Sequence, residues 1–249
     1  MVDTTDTGYA PETWAFDEEV TRVFDDMLGR SIPNYEGMRD ITGRLISEVI
    51  KEHGGDDDDK PCEIIDIGAS RGETIERIVK DNDVFTKVPL DVYGLEISEP
   101  MVKAAKERFA SRFDVTILEW DLRKGLDWRP DSASIVTSIL TLMFIPTEHR
   151  PRLLTHIYEI LHGAGTFFLV EKITGANLVS DERYTSAYYE MKSENGYSTE
   201  DIQRKRLSLE GVLVPVSASA NEQMLRDAGF RFVETIWAWG NFRGWMASK

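Results

Sequence analysis

The sequence predicts an α/β fold, a mostly parallel sheet covered by helices on both faces. Three observations carry this. From Cys62 onward, short apolar stretches alternate with helical patterns across short connections. Glu63-Ile-Ile-Asp-Ile-Gly-Ala-Ser-Arg-Gly72 runs an apolar strand into a glycine-bearing turn and then a helix. Such a turn lets backbone N–H groups and a helix N-terminus approach a ligand closely. The chain has 249 residues, 41% of them apolar, enough for a substantial core.

Residues 1–12 are polar and are expected to be loosely held. Phe16, Val20, Val23, Phe24 and Met27 recur at spacings of three and four, which predicts an amphipathic helix. Ser31-Ile-Pro-Asn-Tyr-Glu breaks it, and a second helix is expected from about Gly37 to Glu52. The run His53-Gly-Gly-Asp-Asp-Asp-Asp-Lys60 reads as an exposed acidic loop. Strands are expected at Glu63–Ile67, Asp91–Leu95, Val115–Trp120, Ala133–Ser138 and Thr166–Val170. Between them, helices are expected at Glu73–Lys80, Pro100–Phe109 and Glu148–Leu161. Pro100 suits a first helical turn, where its missing N–H costs little. His162-Gly-Ala-Gly165 should end the third helix and turn into the next strand.

Residues 172–211 are polar and helix-forming, and read as an insertion across the open edge of the sheet. Ala220–Ala228 is a further helix, ended by Gly229. Arg231–Trp237 and Phe242–Ala247 form a closing antiparallel pair. The expected organisation is one domain over residues 1–249, with an N-terminal helical cover (1–60), a seven-stranded sheet and one helical insertion (172–211).

Composition narrows the function. A formal net charge of −15 repels phosphate backbones and anionic membrane surfaces, so direct nucleic acid binding is not expected. The single cysteine, Cys62, cannot form an intramolecular disulfide or a Cys-rich zinc site, and the four histidines show no metal-ligand spacing. With neither a signal peptide nor an apolar run of about 18 residues, a cytoplasmic, metal-free protein is expected.

The turn itself admits three readings: a ligand cradle, a hydrolase nucleophile elbow centred on Ser70, or a plain connection. The elbow needs a later acid and histidine in order, and no histidine follows the last strands. Gly68 and Gly72 allow backbone conformations or contacts that a side chain would block. Ser70 is expected to hydrogen-bond a cofactor or cap the helix. The second strand ends at Glu96, about two dozen residues later, where a carboxylate can accept from both ribose hydroxyls of an adenosine. Dinucleotides need a further glycine, and Asp66 sits badly beside phosphate but well beside an ammonium. Asp121, closing the third strand, can accept from an adenine amino group. Asp66, Glu96 and Asp121 together suit S-adenosyl-L-methionine (SAM), which carries an ammonium, a ribose and an adenine.

Asp66-Ile-Gly-Ala-Ser-Arg-Gly, Gly94-Leu-Glu-Ile-Ser-Glu-Pro-Met, Glu119-Trp-Asp-Leu-Arg and Leu161-His-Gly-Ala-Gly resemble the motifs of class I SAM-dependent methyltransferases. The likeness extends to the carboxy-SAM synthase family. It is carried by Phe16-Asp-Glu, Arg30-Ser-Ile-Pro-Asn-Tyr35, Thr141-Leu-Met-Phe, Val170-Glu-Lys172, Asn195-Gly-Tyr-Ser198, Lys205-Arg206 and Trp237 to Phe242. The resemblance implies a Rossmann-like class I methyltransferase fold, SAM or carboxy-SAM as ligand, a homodimer, and a place in tRNA wobble-uridine modification. It implies cofactor contacts from Tyr35, Asp66, Gly68, Ala69, Ser70, Gly72, Glu96, Ile97, Asp121, Leu122, Ser138 and Arg206. Tyr35 and Arg206 are also the implied catalytic pair, with Arg206 holding the carboxylate of carboxy-SAM. In the implied reaction the sulfonium methyl loses a proton and its carbon captures carbon dioxide released by prephenate.

Three positions depart from the family pattern. Glu96-Ile97 replaces an Asp-Asn pair, Ile139 beside Ser138 replaces an asparagine, and Tyr188-Tyr-Glu190 replaces His-His-Asp. Two rival functions therefore stand: methyl transfer to a small carboxylate-bearing molecule, and SAM binding without turnover. An aromatic group of Trp14, Tyr35, Tyr188, Tyr189 and Tyr197 could line the pocket in any of the three.

Overall fold

A computed structural model describes residues 13–53 and 60–249. The polar segment 1–12 and residues 54–59 of the acidic run lie outside the described residues. Helix α1 (Glu18–Ser31) begins where the Asp17 carboxylate accepts from the Val20 N–H at 2.9 Å. Asn34, left-handed at φ 44, separates it from α2 (Tyr35–His53), which starts two residues earlier than the sequence suggests.

The sheet then builds by alternation: β1 (Cys62–Ile67), α3 (Glu73–Asp81), β2 (Leu90–Glu96), α4 (Glu99–Arg108), β3 (Val115–Glu119), β4 (Ala133–Ile139), α5 (Arg150–Ile160) and β5 (Leu161–Thr174). Helices α6 (Leu178–Glu194) and α7 (Thr199–Ser208) follow. Then come β6 (Val216–Ser217), α8 (Ala218–Ala228), β7 (Phe232–Trp239) and β8 (Phe242–Ser248). Strand order is β3-β2-β1-β4-β5-β8-β7, with β1 to β5 parallel and β8 antiparallel to both its neighbours. The chain runs outward from β1 to β3 and returns to β4 on the other side. This reversal falls at β1 and β4, and open α/β sheets bind ligands outside the carboxyl ends of the strands at such a reversal.

Four expectations are corrected. The described sheet has eight strands rather than seven, because β6 pairs with Ile173 and Thr174 at the end of β5. Two residues are too few to show an alternation. Helix α5 begins at Arg150, after a single 3-10 turn at Thr147–His149. His162-Gly-Ala-Gly165 is no turn: β5 starts at Leu161, and pairing jumps from Ala133–Leu161 to Ile135–Thr166, so residues 162–165 bulge. The insertion starts after Thr174, since Lys172 and Ile173 still belong to β5.

Strand alternation sends β1 to both faces. Ile64 packs with Ile46, Ile75 and Val102 beneath α2, α3 and α4, whereas Ile65 and Ile67 pack with Leu153, Ile157 and Leu225 beneath α5 and α8. Tyr188 of α6 packs with Ile32 and Phe242, flanked by Tyr35, Leu140, Trp237 and Trp239. The insertion is thereby tied to the N-terminal cover as well as to the closing strands, and the Trp14 N–H donates to the Ser208 carbonyl at 2.9 Å.

Candidate active site

The turn after β1 is left-handed at Gly68 (φ 70), Ser70 (φ 50) and Gly72 (φ 89). The N–H groups of Gly68 and Ala69 both donate to the Leu95 carbonyl, at 2.7 and 3.0 Å, which locks the turn to β2. A Cβ on Gly68 would lie 2.2 Å from Thr141 Cγ2, and one on Gly72 would lie 2.4 Å from Phe109 Cε2. Both glycines therefore make room for protein side chains as well as for left-handed backbone. Ser70 does not cap α3. Gly72 occupies the cap position, and the Ser70 hydroxyl points back to the Gly68 carbonyl at 3.5 Å.

Asp66 is 2% exposed, near the carboxyl end of β1. Register places it opposite Thr137 of β4, whose hydroxyl donates to Oδ1 at 2.6 Å. Oδ2 is buried and has no hydrogen-bond partner among the described residues. Burial pushes this carboxyl up to about 7.

Glu96 closes β2, and three backbone groups donate to it: Ser70 to Oε2 at 2.9 Å, Ile97 to Oε1 at 2.8 Å and Ser98 to Oε1 at 2.9 Å. These donors oppose the burial that raises its pKa. A carboxylate offers about four acceptor sites, so roughly one is left for a ligand rather than the two that a pair of ribose hydroxyls needs. Asp121 accepts from Arg123 Nε at 2.8 Å and from its Nη2 at 2.9 Å, and this guanidinium holds it below the usual carboxylate range.

The other expected contacts divide. Ala69 is buried under the turn, Ser138 is fully buried with Oγ unpartnered among the described residues, and Ile97 is 51% exposed. Leu122 is packed into the core. Tyr35 opens α2, with Arg39 over its ring at 5.5 Å, and burial holds its phenol protonated. Arg206 is exposed and its Nε donates to Gln203 at 3.1 Å, beside an open groove lined by Tyr189, Glu190, Ile202 and Gln203. Within one chain, therefore, Arg206 faces solvent.

Several residues that shape this end of the sheet have no role assigned by the sequence, although Thr141 and Glu171 fall within its family motifs. Thr137 fixes Asp66. Thr141 covers Gly68 and leads the 3-10 turn Leu142–Phe144. Glu171 lies against the backbone N–H groups of Thr141, Leu142 and Met143, and burial pushes it up to about 8. One signal was available: Glu171 is the sole charge in the run Thr166-Phe-Phe-Leu-Val-Glu171. Glu73, first in α3, is buried beside Arg108 at 3.2 Å and is pushed up to about 7.

A strand-order reversal with a left-handed turn beside it, and acids at or just beyond successive strand ends, is the ligand-binding arrangement of an open α/β sheet, and the comparisons identify it as that of the SAM-dependent transferases. The family description "Methyltransferase domain" matches residues 64–165. Solved structures agree on the fold. A Methanococcus maripaludis protein described as a "putative s-adenosyl-l-methionine-dependent methyltransferase" superposes with a TM-score of 0.58 at 18% identity over 97% of both chains. Phosphoethanolamine N-methyltransferase 2 of Haemonchus contortus gives 0.61 at 13% identity over 94% of this chain and 57% of that one.

Curated relatives are more specific. The carboxy-S-adenosyl-L-methionine synthases of Nautilia profundicola and Methylococcus capsulatus are each 34% identical to this chain, over 94% and 96% of it and 94% of their own length. That of Staphylococcus epidermidis is 31% identical over 97% of this chain and 100% of its own. The chain belongs to the carboxy-S-adenosyl-L-methionine synthase family, and it is a SAM-dependent transferase.

Proposed function

We propose that this chain makes carboxy-SAM from SAM and a carboxyl group supplied by prephenate. The observation that carries the SAM site is the buried, unpartnered Oδ2 of Asp66 beside the turn. An acid kept close to neutral pH by burial gains most from an incoming ammonium. The proposed cradle is the backbone of Gly68, Ala69, Ser70 and Gly72, with Glu96 on the ribose, Asp121 on the adenine amino group, and Ile97, Leu122 and Ser138 around them. Bound SAM supplies an activated sulfonium methyl group. Tyr35 would flank that group with a protonated phenol, and Arg206 would bind the new carboxylate. Because Arg206 faces solvent, this last role fits the homodimer that the family likeness implies, in a cytoplasmic enzyme that feeds tRNA modification.

A second reading has an observation in its favour. Arg206 beside the groove between α6 and α7 could hold the carboxylate of a methyl acceptor instead. Mass spectrometry of the ligand that copurifies with the protein separates the two. A species heavier than SAM by one carboxyl group supports carboxyl transfer. SAM or its demethylated product alone, with no conversion on adding prephenate, refutes it.

A further inference from the structure

Three lysines converge near the insertion, none of them ion-paired among the described residues. Lys172 lies near the carboxyl end of β5, Lys192 on α6 and Lys205 on α7. Lys192 is 4% exposed and the other two are half-buried. Among the described residues none of the three forms an ion pair. Their ammonium groups rest on aromatic rings instead. Lys172 Nζ is 4.7 Å from the Tyr188 ring centre, Lys192 Nζ is 5.6 Å from Tyr188 and 4.7 Å from Tyr197, and Lys205 Nζ is 4.7 Å from Trp14. Arg30 adds a fourth cation over Tyr197 at 4.6 Å, although Asp26 pairs with it.

The acids nearest in effect are engaged elsewhere. Asp181 accepts from the Gly175 N–H at 2.7 Å, and Asp201 caps α7 through Ser198 and pairs with Arg204. Lysines are seldom buried without a counter-charge, because aromatic faces return only part of the lost hydration. Burial and mutual repulsion push Lys205 down to about 7 and Lys172 to about 8, and burial lowers Lys192. Trp14 Nε1 adds a buried donor with no partner among the described residues.

We propose that Lys172, Lys192 and Lys205 form a receptor for a small dicarboxylate whose apolar body lies against Tyr188, Tyr197 and Trp14. A single carboxylate would leave two of the three positive charges uncompensated, and a dicarboxylate leaves one. The three lysines gather at the carboxyl end of the parallel strands. Strand β5 runs parallel to β1 and β4, so Lys172 lies at the same end of the sheet as Gly68 and Thr141, and Leu140 packs in the Tyr188 cluster. Taking this dicarboxylate to be the carboxyl donor rests on the carboxyl-transfer reading; the receptor itself does not.

Calorimetric titration with benzylmalonate, an aromatic dicarboxylate, and with 3-phenylpropionate, its monocarboxylate counterpart, tests the receptor. Benzylmalonate is expected to bind at least about tenfold more tightly than the monocarboxylate. Lys192→Met and Lys205→Met should each weaken it by about tenfold or more, with SAM affinity kept within about twofold. Removing an uncompensated buried charge favours folding of these variants. Lys205→Gln serves if a methionine variant does not fold. Equal affinity for the two probes, no benzylmalonate binding at about 10 mM, or full affinity in the variants would overturn the receptor. Lysine-dependent benzylmalonate binding without carboxy-SAM formation would keep the receptor and refute the carboxyl-transfer reading. Carboxy-SAM formation at the wild-type rate in both methionine variants would keep the carboxyl-transfer reading and refute the receptor as the site of the carboxyl donor.

Discussion

The Thr137 hydroxyl donates to one oxygen of Asp66 at 2.6 Å across adjacent parallel strands, while the other oxygen is buried without a partner among the described residues. Asp66→Asn is therefore expected to separate binding from stability. The folded-state pKa is raised from 3.8 to about 7, so the favourable contribution of the neutral acid is complete below 3.8 and is lost as pH rises through about 7. In ligand-free protein at pH 8 the asparagine variant should melt higher by about 2–4 °C, yet bind SAM about tenfold or more weakly. Thermal melts across pH 4–8 and SAM titration check this, and unchanged SAM affinity would rule out the ammonium site.

Gly68→Ala meets both a positive φ and the Thr141 side chain. A loss of about 1–3 kcal/mol is expected in denaturant unfolding. Pairing it with Thr141→Gly should recover the steric part and leave the backbone part, which appears as a coupling in a double-mutant cycle. Strict additivity would show that Thr141 does not press on the turn.

Glu96 ties the turn to the start of α4 through three N–H groups. Glu96→Ala leaves those donors without their acceptor and should cost about 1–3 kcal/mol of stability as well as SAM affinity. If stability falls while SAM affinity holds, Glu96 shapes the turn and does not touch the ribose.

Arg206→Ala should leave SAM binding within about twofold while reducing preference for carboxy-SAM over SAM by about tenfold, since a charge-assisted pair is removed from one ligand alone. Competition binding with the two compounds measures it. Equal loss for both ligands would refute the carboxylate role.

Much of the fold was legible because long-range order here follows local pattern. The apolar runs at β1, β2 and β4 and the turn residues between them announce a buried parallel sheet. The two-residue β6 and the bulge at 162–165 were hidden, because neither has a period of its own. The three strand-end acids were readable as a set, but their hydrogen bonds were not. Nothing in the sequence says that Glu96 spends its acceptors on Ser70, Ile97 and Ser98, or that Arg123 folds onto Asp121. The run Arg204-Lys-Arg206 was the hardest to resolve. Helical geometry turns Lys205 inward onto Trp14 and Arg206 outward to Gln203, and adjacent charges look alike until the helix is placed.

The most direct test of carboxyl transfer is incubation of the purified protein with SAM and prephenate carrying carbon-13 in its ring carboxylate, followed by mass spectrometry. The account predicts a sulfonium product heavier than SAM by one labelled carboxyl group. Demethylated SAM alone, or SAM returned unchanged with no labelled product, would contradict it.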